Sequence, residues 1–270
     1  MPRPMMARPA DAGRGALLRR LLPWCLPALV LLFWGLICAS GRVPPWLLPS
    51  PTDVLRTMSG YLGLSGGDSW CGQFWPDAAA SLIRVGCGYG LAVATALPLG
   101  LLAGRSARVA SLLSVSVNGI KAVPGISWLP LAILWLGIGF VTTMALIALA
   151  AFFPIYFSSM SGAASVPPAL VASGRMLGLS RAAIFRRIVL PWAMPQITAG
   201  LRVALGFAFA YLVLGELTGV SRGVGACIMD ARMNGQVDLL ICGIVLIACL
   251  GAACDRLLLG LVRFLPGQVR

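Results

Sequence analysis

Residues 122–174 read AVPGISWLPLAILWLGIGFVTTMALIALAAFFPIYFSSMSGAASVPPALVASG, a run without one charged side chain. A helix rises about 1.5 Å per residue and the hydrocarbon core of a bilayer is about 30 Å thick, so about twenty apolar residues make one crossing. The run is too long for a single crossing, and Gly137-Ile138-Gly139 supplies a turn inside it. It predicts one helix from near Leu112 to that turn and another from about Thr142 to Ser159. Working outward, Leu21 to Ala39 and Val85 to Gly104 are earlier apolar runs, and Leu239 to Val262 is a later one, with Asp255 and Arg256 near its end. Arg202 interrupts the apolar stretch that begins at Ile188, and the helix there is placed at about Ile197 to Leu217. The expected fold is an all-α integral membrane protein of about six transmembrane helices.

Composition agrees. The 270 residues are 59% hydrophobic and only 11% charged, with a mean hydropathy of +0.91. A soluble globule carries roughly 25% charged residues. The net charge of +13 does not point to nucleic acid, because the charges punctuate apolar runs that water would not tolerate. Histidine is absent, which excludes a Ser-His-Asp triad, a Cys-His pair and a His-ligated metal. The eight cysteines contain no CxxC, and most lie in apolar runs, where Cys acts as a small hydrophobe. Cys71 and Cys227 fall in polar connections, and their spacing leaves open whether they pair.

The organisation expected is a basic cytoplasmic tail (1–20), a single membrane domain (21–264) and a short cytoplasmic tail (265–270). The basic tail followed by an apolar run resembles a signal peptide. Ala39-Ser40-Gly41 is a weak cleavage site and the run is long, so it is read as a retained first helix. Ser65-Gly66-Gly67-Asp68-Ser69 is a polar outer connector. Cytoplasmic loops carry the excess of Lys and Arg. With the N-terminus inside, the outer loops hold only Arg42, Arg56, Arg222 and Arg232. Fourteen arginines, among them Arg105, Arg108, Arg175, Arg181, Arg186 and Arg187, lie inside. Both termini are therefore expected to be cytoplasmic. No internal repeat at a fixed period is visible.

The connection at 166–191 is the most informative. Pro167 and Pro168 open a short helix, Gly178 suits a helix end, and Ser180 caps a second helix carrying Arg181, Arg186 and Arg187. Pro191 ends that helix or turns it into the next span. Taken alone, this is equally a lipid-bound amphipathic helix or a protein-docking surface. The spacing of Gly178, nine residues, then Ile188-Val189-Leu190-Pro191 resembles the EAA loop of permease subunits of binding-protein-dependent ATP-binding-cassette (ABC) importers. Leu47-Leu48-Pro49-Ser50-Pro51, the Pro-rich stretch Lys121 to Gly137, Ala199 to Gly206, Glu216-Leu217-Thr218-Gly219 and Gly223-Val224-Gly225 resemble blocks of the nitrate/sulfonate/taurine branch, in order. The likeness covers about residues 20–264. It departs in one place: the family usually has Glu-Ala-Ala where this chain has Ala172-Ser173-Gly174, which puts an acidic contact with the ATPase in question.

The resemblance implies a type I ABC importer permease fold in the bacterial inner membrane, and a chain that does no covalent chemistry. It implies a second permease copy, most simply identical, two ATPase subunits below and a periplasmic or lipid-anchored substrate-binding protein above. It places the ATPase-coupling surface on Ala172, Ser173, Gly174, Arg175, Gly178, Arg181, Ile188, Leu190 and Pro191. The chain has no GxxxxGK[ST] loop, so ATP and Mg belong to the partner, and no cofactor, metal site or catalytic residue is expected here. Relatives of this kind serve sulfonates, taurine and nitrate among other substrates.

Lys121, Arg202, Arg84 and Glu216 sit in or beside spans, where a charge at the bilayer centre costs about 3 kcal/mol. Either they snorkel from helix ends, or Lys121 and Arg202 line an inner pathway and attract an anion. Pro124, Gly125 and Pro130 are expected to break the third helix, which is tolerated where the backbone is buried or lines a water-filled cavity. Two rival classes fit poorly. A secondary carrier would show paired broken helices in related halves, and an intramembrane enzyme would need an acid or base at mid-depth.

Overall fold

The computed structural model describes residues 11–64 and 72–263, and among these every regular element is helical. Helix α1 spans Asp11–Ala39. The following loop folds back on it: Trp34 Nε1 donates to the Pro49 carbonyl at 3.1 Å. Helix α2 (Pro51–Tyr61) starts with Pro51 in its first turn and a capping box, in which Ser50 accepts from the Asp53 N–H and Asp53 accepts from the Ser50 N–H. Helix α3 runs from Phe74 to Arg105. At 32 residues it is about 48 Å long, and it begins well before the apolar run that predicted it. The polar connector at 65–69 lies outside the described residues, as do residues 1–10 of the N-terminal tail and 265–270 of the C-terminal one.

The third span is broken, as its prolines require. Helix α4 (Ala107–Ala122) ends at Val123, whose extended conformation is what a following proline imposes. Pro124 then leads through a 3₁₀ turn (Gly125–Trp128) into α5 (Leu129–Leu136), with Pro130 in its first turn. The two pieces meet at 85°. The glycines at 137 and 139 make the expected turn into α6 (Phe140–Ala164).

After α7 (Pro168–Met176) the chain re-enters a helix at α8 (Arg181–Ile184), widens through a π-turn (Phe185–Val189) and continues as α9 (Leu190–Glu216). This corrects the expectation that Pro191 ends or bends the chain before a fifth helix starting near Ile197. Pro191 has no N–H to give and lies in the first turn of α9. The wider π-turn ahead of it lets one helix run from Arg181 to Glu216. Helix α10 (Val224–Met233) and helix α11 (Val237–Arg263) complete the fold. Four single helices and the bent α4–α5 pair are long and apolar enough to cross a membrane, and Cys25–Ala39 is a shorter apolar segment of α1.

The bundle centre is α3, α6 and α9. Gly88, Ala92, Ala96, Gly100 and Gly104 form a stripe of small residues at four-residue spacing along α3, and Gly88, Gly100 and Gly104 lie directly on α6. Small residues let helix backbones approach where lipid supplies no hydrophobic drive. One core, with Leu101, Val166, Val171, Ile184 and Val262, gathers the loop after α6 and the end of α11 at the end of the bundle rich in arginine. A second core at the opposite end joins Tyr61, Phe74, Val224, Cys227 and Leu239. Cys227 is buried with a free thiol, and Cys71 lies outside the described residues.

A Cβ at Gly100 would stand 2.5 Å from the Tyr156 carbonyl oxygen and 2.8 Å from Ser159 Cβ. Gly100→Leu is expected to wedge α3 from α6 and to cost about 1–3 kcal/mol. A lower thermal midpoint of the detergent-solubilised protein checks this against a Gly90→Leu control, where the added group meets open space.

Candidate functional site

The arginine-rich loop has the geometry its sequence predicts. Pro168 opens α7, and Gly178, at φ 73°, turns the chain out of it. Leu179 N–H donates to the Gly174 carbonyl and Gly178 N–H to the Arg175 carbonyl, a Schellman closure that a residue with a side chain resists. Ser180 then accepts from the Ala183 N–H at 3.3 Å, capping α8. Gly174 is buried against Ile188 and Ile184, where a Cβ would lie 2.8 Å from Ile188 Cδ1. The missing side chain at the end of the Ala172-Ser173-Gly174 triplet is thus what lets α7 fold down onto the second helix. Ala172, Ser173, Arg175, Arg181, Arg186 and Arg187 are exposed, while Ile188, Leu190 and Pro191 are half-buried. Between the arginines, Met176 and Leu177 stand 88% and 80% exposed.

A cavity of about 570 Å³ lies between the broken third span, α6 and α9. Phe153, Phe157, Trp128, Val203 and Phe207 give it apolar walls. Ser158 and Tyr211 contribute hydroxyls, Lys121 contributes an ammonium, and no carboxylate is among the residues lining it. The Lys121 Nζ stands over the Phe157 ring, 4.4 Å from its centroid, a contact worth about 0.5–1 kcal/mol where exposed. The Pro124–Gly125 break supplies part of the wall, as irregular backbone at membrane depth requires.

Arg202 is not in this cavity. It lines a groove between α9 and α11, on the other side of Ala199 and Val203. There it makes a bidentate pair with Asp255, Nε to Oδ1 and Nη2 to Oδ2, both at 2.8 Å. The two side chains are 48% and 31% exposed.

Glu216 is not in the cavity either, and the snorkelling expected of it and of Arg84 is wrong. Because α3 begins at Phe74, Arg84 lies inside the helix, facing the end of α9. Glu216 is fully buried. It accepts from Arg84 Nη1 at 2.6 Å, from Ser81 Oγ at 2.7 Å and from the Gly225 N–H at 2.8 Å. The neighbouring N–H groups of α10 are met in the same way: Gly223 N–H by Asp77 Oδ1 and Val224 N–H by Ser81 Oγ. The free donors of a helix start are therefore satisfied by side chains of α3 and α9. A Cβ at Gly223 would lie 2.5 Å from the Glu216 carboxylate, which explains the glycine. Asp77 also accepts from the Tyr61 hydroxyl at 2.8 Å, tying in α2. Burial raises the Tyr61 phenol and the Cys227 thiol above their ordinary values, so both remain neutral.

Residues 96–266 match the family model described as "Binding-protein-dependent transport system inner membrane component". The chain belongs to this family. It is a permease subunit of an ABC importer and a transport component, not an enzyme. Its relatives are of the sulfonate, taurine and nitrate branch. The SsuC protein of Bacillus subtilis, named for aliphatic sulfonate transport, is 35% identical over 85% of this permease and 81% of its own length. The taurine transport permease TauC of Escherichia coli is 33% identical over 82% and 80%. The nitrate import permease NrtB of Leptolyngbya laminosa is 29% identical over 94% and 90%. Among solved structures, an inward-facing form of the MetNI methionine ABC transporter matches with a TM-score of 0.56 at 18% identity, over 70% of this permease and 95% of that chain. The fold is shared.

Met176 and Leu177 on the loop, and the Asp77–Ser81 pair that α3 presents beside Arg84, are the functional residues the sequence analysis does not single out. The first two were legible as apolar side chains stranded beside a glycine turn among arginines. The third had a periodicity signal, since 77, 81 and 84 share one helical face. Arg84→Met would leave the permease's Glu216 buried without its cation. It is expected to cost about 3–5 kcal/mol, and adding Glu216→Gln should restore much of that loss. Folded yield and thermal midpoint of the single and double variants, measured side by side, check the order.

Proposed function

We propose that this chain forms the substrate pathway of a binding-protein-dependent importer of small organic or inorganic anions such as sulfonates, taurine or nitrate. Two identical copies would make the pathway. Two ATPase subunits, holding ATP and Mg, would grip residues Ala172 to Pro191 from the cytoplasm, and a substrate-binding protein would deliver from the other side. Both termini are cytoplasmic in this reading, which the fourteen-to-four split of arginines supports.

The observation that carries the proposal is continuity. The second helix of the loop, with Arg181, Arg186 and Arg187, runs unbroken into α9, and α9 is a wall of the cavity. Force applied to the loop is therefore applied to the pathway. ATP-driven closure of the ATPase pair pulls Arg181–Val189, α9 shifts against α4–α6, and the cavity changes its access. Within the cavity, the aromatic and aliphatic walls suit an apolar body, and Lys121 offers one positive charge to an anionic head. The ammonium rests on Phe157 and is free to leave it for a stronger partner. Arg202 serves another purpose. An ion pair half exposed on the surface of spanning helices would meet lipid in a lone chain, at a cost of about 3 kcal/mol per unshielded charge. A second copy laid along α9 covers it, and Gly206 and Ala210, exposed on that face, allow close approach.

Gly178→Asp places a side chain at a positive φ, costing about 1 kcal/mol or more, and a negative charge among Arg175, Arg181 and Arg186. The variant is expected to insert normally, since the position lies outside every span, and to lose both uptake and ATPase co-purification. Uptake at the wild-type level with normal co-purification, at equal membrane abundance, would show that this loop is not the coupling element. Met176→Ser with Leu177→Ser removes two exposed apolar contacts worth about 1.5–3 kcal/mol each when buried. Affinity for the ATPase should drop tenfold or more, roughly, in a pull-down titration.

Lys121→Met should lower uptake of the anionic substrate about tenfold, as loss of one charge-assisted contact of 1.5–3 kcal/mol predicts, with ATPase co-purification unchanged. Uptake and co-purification falling together would assign Lys121 to the fold instead.

A further inference from the structure

The helix that begins at the coupling loop ends at the buried carboxylate. From Arg181 to Glu216 it runs 36 residues, about 54 Å, which is more than the thickness of a bilayer. Its near end carries the exposed Arg181, Arg186 and Arg187. At its far end, Glu216 is the last residue of α9 and is bonded to α3 and to α10 at once. Arg84 reaches past the carboxylate and also donates to the Arg222 carbonyl at 2.8 Å. The turn 217–223 is therefore held from both sides: by its covalent link to α9 and by the guanidinium on its last peptide groups.

A buried ion pair is weak evidence for stability, because desolvation offsets most of the attraction. Its geometric consequence is firmer. Three donors from two elements, Arg84 Nη1, Ser81 Oγ and the Gly225 N–H, meet on one carboxylate, and a displacement of either element by an ångström or so would strand a buried charge. We propose that Arg84 and Glu216 are positioning residues that clamp the turn 217–223 and the first turn of α10 onto the far end of a lever whose near end is the coupling loop. The surface facing the binding protein and the surface gripped by the ATPase then move as one body. The clamp rests on the function proposed above, in which those two partners engage opposite faces. Ser221 and Arg222, exposed on the clamped turn, are where a load from outside enters the lever.

A pair that only stabilised the fold would show itself in abundance and melting. A clamp also shows itself in communication between faces. The test uses the full complex in nanodiscs with its ATPase, cognate binding protein and substrate. Arg84→Met combined with Glu216→Gln removes both charges, so neither member of the pair is left as a buried ion without the other. The double variant is expected to assemble, and its basal ATP hydrolysis should stay within about twofold of wild type. Stimulation by the loaded binding protein should fall about tenfold or more. In the protein with its clamp intact, spin labels at positions 187 and 222 report the lever directly. Their separation is expected to hold between nucleotide-free and ATP-bound states, and a shift of more than one helical turn, roughly 5 Å, would overturn the proposal even if the double variant fails to fold. Full stimulation of the double variant would overturn the clamp alone. A wild-type complex that no binding protein stimulates would overturn the importer function and the clamp with it.

Discussion

A carboxylate with no access to water must find all its partners inside the protein, and Glu216 draws them from separate parts of the chain. Arg84 and Ser81 come from α3, and the Gly225 N–H comes from the first turn of α10. Much else follows from satisfying it. The side-chain-free positions at 223 and 225 are the room that the carboxylate occupies. Asp77, one turn before Ser81, completes the set by taking the Gly223 N–H, and through Tyr61 it holds α2 against the bundle. The α2 helix is secured a second time on α11, where Thr57 donates to Asp238 at 2.6 Å. One end of the bundle is thereby fixed by directional bonds. The other is packed by shape, around Val166, Val171, Ile184 and Val262.

How legible this was depended on the distance over which each cause acts. The break in the third span could be read directly, because Pro124 and Pro130 act on their own backbone. The turn at Gly178 was equally local. Arg84 and Glu216 were visible as charges that needed a reason, but their partnership spans 132 positions and no period in the sequence expresses it. Helix-end snorkelling fits Arg84 only if the second span starts at Val85. Moving that start to Phe74 places Arg84 in the helix body, and a long side chain there cannot reach water along its own axis. For Glu216 the helix end lies where the sequence puts it, and burial by α3 and α10 is what removes it from water.

The loop shows a similar division. The sequence pattern located it, and its departure from Glu-Ala-Ala suggested only a lost acidic contact. What the geometry adds is that Gly174 is an inward-facing position, pressed against Ile188 and Ile184. Ala172 and Ser173 remain at the surface. The triplet thus supplies close packing at its third position, whatever it lost at its first. Removing acidic character also leaves Arg175, Arg181, Arg186 and Arg187 without an opposing charge on their own loop. Among the described residues, none of these four is in an ion pair. An acidic partner surface is what such a display complements.

The two sides of α9 then divide the work of its charges. Arg202 is neutralised by Asp255 in the groove toward α11, so it adds little net field to the cavity on the other side. Lys121 has an aromatic face for a partner and, among the described residues, no carboxylate. A carboxylate beside it would compete with any anion entering the cavity, whereas a ring holds the ammonium weakly and gives it up. Apolar walls strengthen the remaining attraction, because they lower the effective dielectric beside the ammonium. In the reading proposed above, a single weakly held cation in such a setting favours passage over storage: it would lower the barrier for an anion without binding it tightly enough to stop it.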